Sequence, residues 1–178
     1  MREAVPVLVN EETGGVPTFE EYVAARSQAL WRSAWLLTGD RHKAEDLVQT
    51  ALMKCWRRWD SIADGGAVDA YVRRTMLTTY TDWWRRRWNG EVPTGTLPDR
   101  PANGLADGHD AGVRQDVLAA LAGLPRGQRA VVVLRFFDDL TEAQTAATLA
   151  ISAGTVKSQT SRALRALRTS GLLEETHD

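Results

Sequence analysis

Residues 89–113, NGEVPTGTLPDRPANGLADGHDAGV, interrupt the chain with Gly, Pro, Asp and Asn and carry almost no apolar periodicity. A stretch of that composition reads as a linker, and it divides the 178 residues into two segments with helical patterning. Tryptophan sharpens the division. All seven (Trp31, Trp35, Trp56, Trp59, Trp83, Trp84, Trp88) precede the linker, whereas the second half draws its apolar residues from Leu, Val, Ala and one Phe pair. Two core chemistries imply two separate cores. The expected architecture is all-α: a flexible leader over 1–17, a domain over 18–90, the linker proper over 91–113, a second domain over 114–170 and a tail over 171–178.

In the first half, Thr18 is a good N-cap followed by Glu20 and Glu21. Apolar positions then recur through Tyr22, Ala25, Ala29, Leu30, Ser33, Leu36 and Leu37 until Gly39 stops the helix. A second helix is expected from after Asp40 to Trp59, burying Ala44, Leu47, Val48, Ala51, Leu52, Cys55, Trp56 and Trp59. Its other side presents Asp46, Gln49, Thr50, Met53 and Arg57 at i, i+3, i+4, i+7 and i+11, and Met53 is a large apolar group on a polar stripe. Two readings stand, a solvated face or a docking strip for another protein's helices. Ser61 to Val68 reads as a Gly-Gly loop, with Asp69 capping the next helix.

That helix, Ala70 to Trp88, reads AYVRRTMLTTYTDWWRRRW. Arg73, Arg74, Arg85, Arg86 and Arg87 alternate with Tyr71, Tyr80, Trp83, Trp84 and Trp88 around Thr78 and Thr79. The mixture suits unpaired nucleic acid, because guanidinium groups hold phosphates while rings offer a face to an unstacked base. Val72, Met76, Tyr80, Trp83 and Trp84 also fall at helical spacing, so part of the aromatic set is expected in the core.

In the second half, Val117, Leu118, Leu121 and Leu124 mark one helix. Arg126 to Phe137 gives another, with Val131, Val132, Leu134 and Phe137 buried. Thr141 caps a short helix over Glu142–Leu149, and the turn Ala150-Ile151-Ser152-Ala153 leads into a longer one over Gly154–Arg168. This is the pattern of a helix-turn-helix, with Ala150 where glycine is usual and a positive φ is required. The last helix sorts its faces: Val156, Thr160, Ala163, Leu164 and Leu167 inward, and Ser158, Ser161, Arg162 and Arg165 outward, with Lys157 beside them. Such a helix can enter the major groove, Arg or Lys reading guanine and hydroxyls bonding phosphates.

Charge supports local rather than global binding of nucleic acid. The net charge is -1, but Lys157, Arg162, Arg165 and Arg168 form a run with no acid between Gly154 and Gly171. Cys55 is alone, which excludes an internal disulfide and a multi-cysteine metal site, and His42, His109 and His177 are scattered. No apolar run is long enough to span a bilayer and no signal-peptide pattern is present, so the chain is expected to be cytoplasmic, with no membrane partner.

The helix AEDLVQTALMKCW (Ala44–Trp56), the segment Ala70–Arg87, the Gly/Pro linker and the tract Leu124–Arg168 follow one another as in the extracytoplasmic-function sigma factors, and the chain resembles that family's SigE-like actinobacterial branch from about Thr18 to Arg168. The resemblance implies a sigma factor, not an enzyme, that needs no cofactor and lends promoter specificity to bacterial core RNA polymerase. Asp46, Gln49, Thr50 and Met53 would meet the β′ clamp helices, while the second domain would meet the β flap. Tyr71, Arg73, Arg74, Thr78, Thr79, Tyr80, Arg85, Arg86 and Arg87 would recognise and open the minus-ten element, one flipped base sitting beside Thr78, Thr79 and Tyr80. Thr155, Lys157, Ser158, Gln159, Ser161, Arg162 and Arg165 would contact the minus-thirty-five duplex. An anti-sigma factor is a further partner the family suggests, and the linker acids Asp99, Asp107 and Asp110 would imitate nucleic-acid charge in the polymerase cleft. Departures are Tyr71 for a usual Trp, Thr78 for Asn, Thr145 for an apolar residue and Gln159 for a common Arg; a hydroxyl at Thr78 lacks the paired donor and acceptor of an amide.

Two rivals remain at this level. An ordinary helix-turn-helix regulator would share the GTVKS segment but leaves Ala44–Arg87 unexplained, and no receiver pattern precedes it. A nucleic-acid enzyme would need a phosphate loop, paired metal ligands or a nucleophile beside a base, none of which the sequence offers.

Overall fold

Thr18 opens the first helix through a capping box: its hydroxyl accepts from the Glu21 amide, and the Glu21 carboxylate accepts from the Thr18 amide at 2.8 Å. The computed structural model describes residues 16–64, 67–90 and 115–170; most of the leader, the linker with Asp99, Asp107 and Asp110, and the tail lie outside them. Helix α1 spans Phe19–Thr38 and ends at Gly39, whose φ of 69° supplies the left-handed C-cap. Ser33 to Leu37 are continuously buried at its C-terminal end, whereas Ala25 and Ala29, expected inside, are exposed.

Helix α2 (Arg41–Trp56) is capped by Asp40, which accepts from the Lys43 amide at 2.9 Å. It buries Ala44, Leu47, Val48, Ala51 and Cys55 as expected, but it stops at Trp56 rather than Trp59. The chain turns at Arg57 and restarts as α3 (Trp59–Asp64), so part of the expected Gly-Gly loop is helical. Trp59 therefore packs inside while Trp56 remains 55% exposed, stacked edge-on to Phe19 at 4.9 Å. Helix α4 runs Val68–Gly90 and buries Val72, Met76, Leu77 and Tyr80. Asp69 does not cap it. Its carboxylate instead takes the Tyr22 hydroxyl at 3.0 Å, Arg26 Nε at 3.0 Å and Arg73 Nη2 at 2.9 Å.

In the second half, α5 (Gln115–Ala122) is followed by α6 (Arg126–Val132), which widens into a π-helical segment over Val133–Phe137. The Asp138 amide bonds the Val133 carbonyl at 3.0 Å, an i→i+5 closure. The extra residue inside that hydrogen-bonded loop shifts the phase of the segment. Phe137, expected in the core, is 41% exposed and Phe136 49%, while Val133 and Leu134 are fully buried. Helix α7 (Glu142–Leu149) begins with a second capping box, Thr141 with Gln144, and α8 (Ala153–Thr169) is capped by Ser152. Ala150 joins them at φ 54°, ψ 44°.

The two halves do not keep separate cores. Leu36, Leu37, Val72 and Tyr80 belong to the same buried cluster as Leu118, Leu124, Leu134 and Leu167. Each Leu or Val removed from water there contributes about 1.5–3 kcal/mol, so a shared cluster binds the halves together as well as stabilising each. The chain therefore has the two helical domains expected, but they pack on one shared buried cluster rather than on two separate cores.

Candidate nucleic-acid interface

Three helices carry the residues singled out by the sequence, and each presents them by burying its opposite face. On α2, Leu47 and Ala51 are sealed against α1 and α4, which leaves Asp46 and Gln49 exposed, Thr50 half-buried and Met53 63% exposed. A methionine that open on a helix whose other side is fully packed is a soft apolar contact looking for a partner.

On α4 the expected nucleic-acid residues divide into two groups. Tyr71, Arg74, Thr78, Arg85 and Arg86 are exposed; the side chain of Arg87 lies outside the described residues, as do those of Trp84 and Trp88. Arg73, Thr79 and Tyr80 are buried. Thr79 accepts from Lys54 Nζ at 2.9 Å and donates to the Thr75 carbonyl at 2.8 Å, while the Tyr80 hydroxyl donates to the Leu37 carbonyl at 3.0 Å. Thr78 is thus the exposed hydroxyl of the pair, and Thr79 is tied to α2.

On α8 the two faces are cleanly sorted. Val156 and Ala163 have no exposed surface and Leu167 is buried, whereas Lys157, Ser158, Ser161, Arg162 and Arg165 face solvent. Thr155 and Gln159 are half-buried and line a cleft of about 480 Å³ whose far wall is Leu77, Tyr80, Thr81 and Arg85 of α4. The helix-turn-helix therefore faces the first half of the chain on one side and solvent on the other.

Family models for sigma-70 region 2 and sigma-70 region 4 match residues 22–90 and 114–167. The RNA polymerase sigma-E factor of Streptomyces coelicolor is 49% identical over 156 residues, covering 87% of this chain and 86% of that protein. This chain belongs to the extracytoplasmic-function sigma factors. The SigL sigma factor of Mycobacterium tuberculosis is 33% identical over 84% of each chain. Among solved structures, the sigma factor RpoE of Bartonella quintana, crystallised with the anti-sigma factor NepR, aligns with a TM-score of 0.67 at 26% identity, over 88% of this chain and 98% of that one. The sigma factor binds RNA polymerase and directs promoter-specific transcription initiation, without enzymatic activity of its own. Helices α1–α4 form its region 2, and α5–α8 form its region 4.

Two residues escape the sequence reading. Lys54, exposed on α2, anchors Thr79 through its ammonium group. Asp138, in the bend after the π-helical segment, has a side chain only 8% exposed beside Arg73. Both partnerships are long-range, and no local pattern marks either. Among the described residues no helix is long and apolar enough to cross a membrane, and no group of three or more His, Cys, Asp or Glu is placed to hold a metal.

Proposed function

We propose that this sigma factor reads its promoter with two surfaces: α4 for the unpaired minus-ten strand and α8 for the minus-thirty-five duplex. The observation that carries this reading is α8, where a fully buried Val156–Ala163 seam sets Lys157, Ser158, Ser161 and Arg162 outward together. Arg and Lys there supply base contacts and the serines bond phosphates, with Arg165 extending the basic edge and Thr155 and Gln159 at its margin. On α4, Tyr71, Arg74, Arg85 and Arg86 offer stacking and charge around Thr78, with Arg87 continuing the basic run. Thr79, Tyr80 and Arg73 support that surface from beneath.

Asp46, Gln49, Thr50 and Met53 form the contact with the β′ clamp helices of core polymerase, and region 4 meets the β flap. The protein acts in the cytoplasm, and an anti-sigma factor restrains it, as NepR accompanies the aligned RpoE. The domain limits of this reading are 18–90 and 114–170, joined by the linker over 91–113. Run-off transcription with core polymerase, followed by sequencing of the start sites, tests the reading. Added sigma factor creates a defined set of starts, and Gln49→Ala raises the concentration needed without moving them. Start sites unchanged by the protein would reject it.

A further inference from the structure

Leu77 of α4, Ala130 of α6, Leu149 of α7 and Ile151 of the following turn all give apolar surface to the cleft of about 480 Å³. That volume lies in the range of pockets that take small molecules. A helix with its side chains is about 10–12 Å across, so the cleft holds only about one turn of one. It is too small for a docked peptide helix.

The polar part of the lining has one sign of charge. Arg85 of α4 and Arg126 of α6 are both cationic, and among the described residues no Asp or Glu joins them in the lining. Asp82 lies outside the lining, 3.5 Å from Arg85 Nη2, and the Arg85 side chain is mostly exposed, so its guanidinium keeps donors for another acceptor. Thr155 belongs to the first turn of α8, where the partial positive charge of the helix adds to that of the arginines. Gly127 of α6 keeps the space open. A Cβ at that position would stand 3.6 Å from Gln159 Nε2, so a longer side chain there would occupy the cleft.

Apolar walls with two guanidinium groups and no carboxylate select among ligands. A bare inorganic anion would leave the apolar walls unused, and a neutral hydrocarbon would take water from the arginines and return no acceptor. A carboxylate on an apolar body meets both demands, because a guanidinium can hold it through two parallel hydrogen bonds while its chain covers the leucines. We propose that the cleft binds a small amphipathic carboxylate, with its head at Arg85 and Arg126, and that this ligand competes with the minus-thirty-five duplex for Thr155 and Gln159. The site stands on its own geometry; the competition rests on the two-surface reading above.

The test titrates decanoate, up to about 1 mM, into the full chain by calorimetry. Saturable binding is expected, with decanol, the same chain without the charge, about tenfold weaker. Gly127→Leu fills the cleft and puts a better helix former in α6, and it should lower decanoate affinity by about tenfold or more. Arg126→Gln, which removes charge and serves if Gly127→Leu loses helix content, should lower it by about fivefold. In anisotropy titrations, saturating decanoate should weaken wild-type binding to the minus-thirty-five duplex by about threefold and have no effect on Gly127→Leu. Absence of saturable binding, or equal binding by folded variants and wild type, overturns the site. Decanol as tight as decanoate overturns the choice of a carboxylate, and saturable binding with an unmoved duplex affinity overturns the competition. A wild-type chain that takes up decanoate but fails to support run-off transcription overturns the two-surface reading instead.

Discussion

Lys54 Nζ donates a 2.9 Å hydrogen bond to Thr79 Oγ1, joining the helix that presents the polymerase stripe to the helix that presents the minus-ten surface. The Thr79 hydroxyl in turn donates to the Thr75 carbonyl, so one buried group holds two partners. Thr79→Val keeps the shape and loses both bonds. It is expected to lower unfolding stability by about 1 kcal/mol, whereas Thr79→Ser, which keeps the hydroxyl, should retain most of the Lys54 link. Urea titration of the three proteins checks this; equal losses in Val and Ser variants would mean that packing rather than the hydroxyl matters.

Thr145 is fully buried in α7, and its hydroxyl has no hydrogen-bond partner among the described residues. An unpaired buried hydroxyl costs about 1–3 kcal/mol, and valine fills nearly the same volume without it. Thr145→Val should therefore stabilise the protein by about 1 kcal/mol, read as a rise of a few degrees in melting temperature. A fall in melting temperature would show that the hydroxyl is satisfied in solution.

Ala150 adopts φ 54°, ψ 44° as the C-cap of α7, with its amide directed at the Ala146 and Ala147 carbonyls. A Cβ in that conformation costs on the order of 1 kcal/mol relative to glycine. Ala150→Gly is expected to recover most of that and to leave minus-thirty-five binding unchanged, since the turn lies away from the outward face of α8. Calorimetry with a duplex titration decides; weaker DNA binding would mean that the alanine sets the angle between α7 and α8.

The Ala150 turn shows what a sequence can disclose. Thr18 with Glu21, Gly39, Thr141 with Gln144 and Ala150 act over four residues or fewer, so caps and turns are readable from spacing alone. So are the inward positions of α8, where one helical period holds throughout. The reading fails where a local rule is overridden. The helix break at Arg57 sends Trp56 and Trp59 to different environments, and the π-helical segment turns Phe137 outward against a 3.6-residue count. The neighbours of Arg73 in sequence point to nucleic acid, whereas in the fold its side chain is buried. Of its two carboxylate partners, Asp69 lies one turn away on the same helix, but Asp138 is brought to it only by how regions 2 and 4 pack together.

Asp69 and Asp138 flank Arg73 and respond to acid in opposite directions. Burial alone would raise Asp69, but Arg73 and Arg26 outweigh it and hold the carboxyl below its ordinary value. Its stabilisation is therefore complete above the unfolded value of about 3.9 and is lost as pH falls through the lower folded one. Asp138 is raised by burial despite Arg73 and Ser33, so its contribution is largest when protonated and is lost as pH rises through the folded value. In urea midpoints followed from pH 6 to pH 3, Asp69→Asn should flatten the acid decline and Asp138→Asn should steepen it, each relative to its own value at pH 7. Parallel profiles in both variants would remove the asymmetry.

Arg162 stands exposed on the outward face of α8, one turn beyond Ser158 and beside Ser161. An arginine there can do either of two jobs, and salt separates them. A guanidinium bonded to a base edge loses about 1–3 kcal/mol on truncation, only on the sequence that carries that base. One bonded to phosphate weakens every sequence alike and lowers the salt slope by about one ion. Its position midway along the exposed seam, with hydroxyls on the same face available for phosphates, favours the base. Arg162→Ala is expected to reduce binding of the cognate minus-thirty-five duplex by about 1–3 kcal/mol while scarcely changing an unrelated duplex. Anisotropy titrations on both duplexes at two salt concentrations give the answer, and equal losses with a reduced salt slope would reassign Arg162 to the backbone.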